Sequence, residues 1–397
     1  MDITIYPKKL TGTVAAIPSK SQAHRLLICA ALGRGRTTLL CPETNRDIEA
    51  TAGCLQALGA RIVRTSLGFE VEPIETPCKN PVLNCHDSGS TLRFLLPVAG
   101  ALGCGAVFQL EGRLPKRPLS PLWEELERMG CHLSRPTADT VRCEGQLHPG
   151  DFTIDGGVSS QFITGLLLAA AILPGKSRVI PTGKLESRPY IQMTLDALEA
   201  FGVRSRDLTL EGGLLRSPGT LAVEGDWSNA AFFLAAQALG SRLEVTNLSP
   251  ASAQGDRAAA ELIPQLSDFS TISAADIPDL VPILSIVAAC NKGAVFTDIR
   301  RLRLKESDRV ASVIAMVEAL GGRAEADENS LTVYGTGLTG GTVDSVGDHR
   351  IAMSAAVGAT VCTERVTILG AESVGKSYPQ FWEEYRRLGG NYEQYLR

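Results

Sequence analysis

"DHRIAMSAAVGATVCTERVTILGAESVGKSYP", residues 348 to 379, admits two readings, and the choice between them decides the fold. Its end places Gly370, Gly375, Lys376 and Ser377 at the four fixed positions of G-x-x-x-x-G-K-[ST], after a β-rich run from Arg365 to Leu369. In a nucleotide-binding P-loop this pattern cradles phosphates with backbone N–H groups and a Lys. The second reading is a structural unit. It has a polar start at Asp348, an Ala-rich helical run, a small break, a β-rich run, and a loop leading to another helix. A P-loop ATPase needs further strands and a Mg²⁺-holding Asp downstream. Only 20 residues follow Ser377, which leaves no room for them.

The unit recurs along the chain. It appears as "SKSQAHRLLICAALGRGRTTLL" from Ser19, "DSGSTLRFLLPVAGALGCGAVFQL" from Asp87 and "VSSQFITGLLLAAAILPGKSRVI" from Val158. It returns as "DWSNAAFFLAAQALGSRLEVTNL" from Asp226 and "IPDLVPILSIVAACNKGAVFTDI" from Ile277. The spacing, roughly 50–70 residues, exceeds that of a short solenoid repeat. A second, more charged helix follows each copy and tends to end on Leu-Gly or a close variant, as in "DIEATAGCLQALG" and "RVASVIAMVEALGG". That Gly is a helix C-cap signal. The fourth copy, "DRAAAELIPQLSDFSTIS", is degenerate. The first helices are apolar nearly all round, which predicts burial at a domain centre with the sheets outside. The fold class is therefore α/β, built of six units.

Bulk properties agree with this. The 397 residues are 44% hydrophobic, 21% charged and only 5% aromatic, as expected of two or three Ala- and Leu-packed α/β domains. A net charge of -4 gives no bulk case for a nucleic-acid partner. The ten cysteines include no C-x-x-C pair, which predicts reduced thiols and a cytoplasmic protein. The five histidines include no H-x-x-x-H pair, so no metal site is expected. The N-terminus lacks signal-peptide order, and no apolar run reaches spanning length, so no membrane partner is expected.

The helix starts carry the chemistry. They read Ser19-Lys20-Ser21 with Arg25, Asp87-Ser88-Gly89-Ser90 with Arg93, Ser159-Ser160-Gln161, and Asp348-His349-Arg350. Ser and Asp are ordinary N-caps. A cation just inside a helix N-terminus opposes the dipole, so three such starts predict bound anions. The loops before the second helices add Arg46, Lys116, Arg117, Arg188, Arg257, Lys305, Arg309 and Lys376. Eight cations at equivalent places predict a shared cleft for a polyanionic ligand.

In order, "PSKSQAHR", "DSGSTLR", "KRP", "SSQF", "ESRPY", "IPDL", "LKESDR", "DHRIAM" and "GKSYP" resemble the 5-enolpyruvylshikimate-3-phosphate synthase family over essentially the whole length. The resemblance implies a two-domain enolpyruvyl-transferase fold of six βαβαββ units, three per domain, with the active site between the domains. It implies domains at 14–224 and at 1–13 with 225–397, with hinges near Thr11–Val14 and Val223–Trp227. It further implies transfer of the enolpyruvyl group of phosphoenolpyruvate to the 5-hydroxyl of shikimate 3-phosphate. The route is addition and elimination, with no cofactor, in a monomer. Carried over by motif, Lys20, Asp279 and Glu306 are catalytic. Lys20, Ser21, Arg25, Ser159, Ser160, Gln161, Ser187, Tyr190, Asp279 and Lys305 hold shikimate 3-phosphate. Lys20, Gly89, Arg93, Arg117, Gln161, Arg309, Arg350 and Lys376 hold phosphoenolpyruvate. His349 is given a structural role. The family commonly has Asn at the positions of Asp87 and Arg301, which bears on anion binding at the first and shikimate contacts at the second. The resemblance also implies a glyphosate target, with Gly89 allowing access. UDP-N-acetylglucosamine enolpyruvyl transferases share the fold but carry a Cys or Asp in the loop that here reads "EGRLPKRP".

Overall fold

The structure, a computed structural model, describes residues 1–395. The last two residues of the expected second domain, 396 and 397, lie outside the described residues. Six buried helices match the six apolar runs. They are α1 (Lys20–Leu32), α2 (Gly89–Leu102), α3 (Ser160–Ala170), α4 (Trp227–Ala238), α5 (Val281–Cys290) and α6 (His349–Gly358). In α5 every residue from Val281 to Ala289 is buried, as a helix apolar on all faces requires. The polar starts act as caps. Ser19, Ser88, Ser159, Asp226 and Asp348 accept the N–H of Gln22, Thr91, Gln161, Asn229 and Arg350 respectively. Helix α5 instead has Pro282 in its first turn, where the missing N–H costs nothing.

The sheets repeat one strand order. Val82–Asn84 runs parallel to Val107–Gln109, which pairs antiparallel with Thr140–Gly145 and that strand with Cys131–Ser134. Ser270–Ser273, Gly293–Thr297, Ser330–Tyr334 and Arg323–Ala326 repeat the pattern. The sixth unit completes it with strands from both chain ends. Gly341–Asp344 and Val366–Leu369 are joined by Asp2–Tyr6 and then Asn391–Tyr395. The first unit borrows Thr220–Ala222, which lies parallel to Thr37–Leu40. The degenerate fourth copy keeps only Arg242–Thr246, paired in parallel with Thr11–Ala15, and its second helix shrinks to Ala259–Gln265 around an internal Pro264.

The chain divides into two compact units, Pro18–Glu224 and Met1–Ile17 with Gly225–Arg397. Each has its own core, the first drawing on α1 to α3 and the second on α4 to α6. The first crossing falls at 17–18, later than the expected hinge. Thr11–Ala15 is held by five ladder positions against Arg242–Thr246, and Ile17 accepts the Asp226 N–H at 2.8 Å.

The P-loop reading fails on geometry. The Gly370 N–H donates to Asp2 Oδ1 at 3.1 Å, so a carboxylate already occupies a donor that a P-loop would offer to phosphate. Gly370 sits at φ +68°, and Ala371–Lys376 then turns as a short 3₁₀ helix.

Candidate active site

Within Pro18–Glu224, Lys20 is the first residue of α1, and its ammonium lies 3.0 Å from Asp47, a carboxylate only 3% exposed. Arg25, one turn on, is buried. Its Nε donates to Thr194 Oγ1 (2.9 Å), Nη1 to the Ser21 carbonyl (2.6 Å), and Nη2 to Thr164 Oγ1 (3.2 Å) and the Tyr190 carbonyl (2.9 Å). It also lies 5.0 Å over the Phe94 ring. Burial pulls its pKa down to about 10, against the opposing pull of Tyr190 and Cys29. A guanidinium has five N–H donors. Arg25 therefore ties α1, α3 and the helix Arg188–Ala200 together.

A second group gathers at the starts of α2 and α3. Arg93 Nη1 donates to Gln161 Oε1 (2.9 Å), and Gln161 Nε2 donates to Ser90 Oγ (2.9 Å). Arg93 Nη2 reaches the Pro118 carbonyl (3.1 Å), beside Arg117. Two glycines permit this crowding. A Cβ on Gly165 of α3 would come within 2.2 Å of the Arg93 carbonyl, so only Gly lets the two helices approach. A Cβ on Gly89 would meet Arg117 Nη1 at 2.6 Å and Arg93 Nη1 at 2.9 Å. Gly89→Ala is thus expected to displace both guanidiniums and to weaken the binding of an anion held between them by about tenfold or more. Titration of the two proteins with inorganic phosphate checks this; equal affinities would refute it. Ser159 caps α3 and Ser160 is buried beside it, while Ser187 holds φ +54° just before the helix that carries Tyr190. Ser88, and not Asp87, caps α2.

In the other unit the carboxylates and cations interlock. Asp279, just ahead of α5, lies 2.5 Å from Arg309 Nη1, 3.1 Å from Arg350 Nη2 and 3.6 Å from Lys305 Nζ. Arg309, 1% exposed, also donates from Nε to Asp348 (2.9 Å) and from Nη2 to Glu306 (2.8 Å). Asp348, the cap of α6, further accepts the Ser307 hydroxyl at 3.0 Å. Burial alone would raise the Asp279 pKa, but Arg350, Lys305 and Arg309 outweigh it and hold the carboxylate well below its usual range. Burial pulls Lys305 down to about 8, with Asp279 opposing and Arg309 and Arg301 reinforcing. Lys376 is buried, and its neighbour Ser377 reaches Asn229 in the first turn of α4 at 3.4 Å.

The eight loop cations do not behave as one set. Arg309 and Lys376 are buried and Arg117 and Lys305 half-buried, but Arg46, Lys116, Arg188 and Arg257 are exposed. Equivalent positions in a repeat share backbone geometry, not solvent exposure. Conversely, Asp47 and Ser307 were not singled out by sequence, and Asp348 was read only as a helix start. The only signal was their place beside flagged cations, in "NRD", "DHR" and "KESDR".

The architecture belongs to the enolpyruvyl transferases. An EPSP synthase from Acinetobacter baumannii superposes with a TM-score of 0.80 at 23% identity, covering 99% of this chain and 100% of the other. The enolpyruvyl transferase NikO from Streptomyces tendae gives 0.76 at 18% identity, over 99% and 98%. The chain belongs to the EPSP synthase (3-phosphoshikimate 1-carboxyvinyltransferase) family, whose model matches residues 5–267 and 264–385. Relatives named 3-phosphoshikimate 1-carboxyvinyltransferase agree with this. That of Clostridium beijerinckii is 35% identical, covering 99% of both chains, and that of Clostridium kluyveri 36% identical, covering 99% of this chain and 98% of the other.

Proposed function

We propose that the protein transfers the enolpyruvyl group of phosphoenolpyruvate to the 5-hydroxyl of shikimate 3-phosphate and releases phosphate, in aromatic amino acid biosynthesis. The observation that carries the reading is Asp279, a carboxylate set among Arg309, Arg350 and Lys305 in a chain of this family. Asp279 accepts the 5-hydroxyl proton as that oxygen bonds to C2 of phosphoenolpyruvate. Lys20 or Glu306 delivers a proton to C3, giving the tetrahedral ketal phosphate. The methyl then returns a proton, the C2–O bond to phosphate breaks, and phosphate leaves. Arg93, Arg117, Arg309, Arg350 and Lys376 hold the anionic groups of phosphoenolpyruvate, and the serines, Tyr190, Arg25, Gln161 and Lys305 hold shikimate 3-phosphate.

The low basicity of Asp279 fits this scheme. Two of the cations that depress it, Arg350 and Arg309, are assigned to phosphoenolpyruvate, so a bound anion draws on their charge and returns basicity to the carboxylate. The protein acts on these small molecules as a cytoplasmic monomer and is a glyphosate target; its ten free thiols support a reducing compartment.

The test is phosphate release with each substrate pair. Release is expected only when phosphoenolpyruvate and shikimate 3-phosphate are both present. Release with UDP-N-acetylglucosamine in place of the shikimate ester would overturn the assignment.

A further inference from the structure

One carboxyl among these helix starts has no part in the scheme above. Asp256 lies in the 3₁₀ turn Gly255–Ala258, in the same loop series that supplies Arg117, Arg309 and Lys376 in other units. It is 2% exposed. One oxygen accepts the Ser228 hydroxyl from the first turn of α4, while Oδ1 is buried with no hydrogen-bond partner. Among the described residues no Lys or Arg forms an ion pair with it. A buried carboxylate with neither a cation nor a full set of donors is costly, so such a group holds its proton more tightly than an exposed one. The charged groups that act on it are Asp279 ahead of α5, Arg350 of α6 and Asp226 at the start of α4. Arg257 and Glu261, in its own turn and the following helix, are exposed. Burial and Asp279 push its pKa up to about 6, while Arg350 and the Ser228 hydrogen bond restrain the rise.

We propose that Asp256 is a positioning residue for phosphoenolpyruvate, acting through Arg350, and that its carboxyl takes up a proton when the anion engages that arginine. This rests on the functional reading given above. Among the described residues Arg350 is the cation whose charge favours a negative Asp256. An anionic ligand at Arg350 offsets that cation and adds its own negative charge to that of Asp279, so the neutral carboxyl is favoured. Linkage is reciprocal, so a protonated Asp256 must tighten the ligand, and an ionised one must weaken it.

Asp256→Asn keeps the shape and an acceptor for Ser228 but never ionises. The KM for phosphoenolpyruvate is compared between the wild type and this variant from pH 5 to 8. The ligand's own ionisation is common to both and cancels in the ratio. The wild-type KM is expected to rise relative to the variant as pH passes 6, by about fivefold or more at pH 7.5. Ser228→Ala removes a bond that favours the ionised form and is expected to move the break to higher pH. A KM ratio that stays constant over the range, or a break unmoved in the Ser228 variant, overturns the proposal.

Thermal unfolding of the unliganded proteins separates this from the functional reading. A pKa raised in the folded state costs stability once pH exceeds the unfolded value near 3.8, and the cost levels off above about 6. The variant's Tm advantage is therefore expected to grow between pH 4 and 6. No turnover by the wild type would sink the functional reading while leaving the thermal result to stand. A Tm difference independent of pH would sink the assignment of a buried, proton-holding Asp256.

Discussion

Replacing Lys20 with Met is expected to lower kcat/KM by about a thousandfold or more while the protein stays folded. Met keeps the length and the apolar stem and removes only the ammonium. Two losses then coincide. The proton donor and anion ligand assigned to Lys20 disappears, and Asp47, 3% exposed and 3.0 Å from that ammonium, confronts the incoming anions without it. Removing one partner of a largely buried pair also costs stability, so reduced activity alone would be ambiguous. The double variant Lys20→Met with Asp47→Asn resolves this. It removes the carboxylate charge that Lys20 faced and is expected to recover part of the lost Tm, with turnover still absent. Phosphate release assays and thermal melts on both variants make the comparison. Near-normal kcat in the single variant would remove Lys20 from the mechanism, and recovery of turnover in the double variant would reduce its role to masking Asp47.

The buried helices were legible because their signal is local. The apolar run from Val281 to Ala289 has no polar face to show solvent, and burial of every one of those residues follows. The closure of the repeat was not legible. Asp2–Tyr6 completes a sheet with residues from the far end of the chain, and Thr220–Ala222 does the same for the first unit, and no periodicity reports such partners. The site divides in the same way. Arg93 was flagged at a helix start, because a cation against the helix dipole needs a reason, and the structure sets it against Gln161 and Gly89. Asp348 did not, because a capping Asp looks the same whether or not it also holds an arginine 39 residues away in sequence. Exposure was the weakest inference. Arg46 and Arg309 occupy matching first positions of their second helices, yet one is solvated and the other sealed among carboxylates.

Arg309→Met is expected to be the most destabilising single change in its unit, and its penalty should depend on pH. Arg309 is 1% exposed and answers three carboxylates at once, Asp279, Glu306 and Asp348. Met fills the stem but leaves Asp348, which is fully buried, without its guanidinium. Breaking a buried pair by removing one partner costs about 3–5 kcal/mol, and in a unit of this size that corresponds to a fall in Tm of roughly 10 °C. In the wild type, Asp279 has a folded pKa well below 3.8, so it stabilises above about pH 4 and loses that contribution as pH falls through its folded value. In the variant Asp279 has lost one of the three cations that depress it, so less of this contribution is there to lose. The Tm gap between the two proteins should therefore narrow from pH 7 to pH 3. An equal gap at both pH values would mean that the penalty is one of packing. Adding Asp348→Asn removes the stranded charge and keeps a side chain that caps α6, so much of the Tm should return. Turnover should not return, because the cation assigned to phosphoenolpyruvate is still missing. A double variant restored in both would show that Arg309 serves the fold alone.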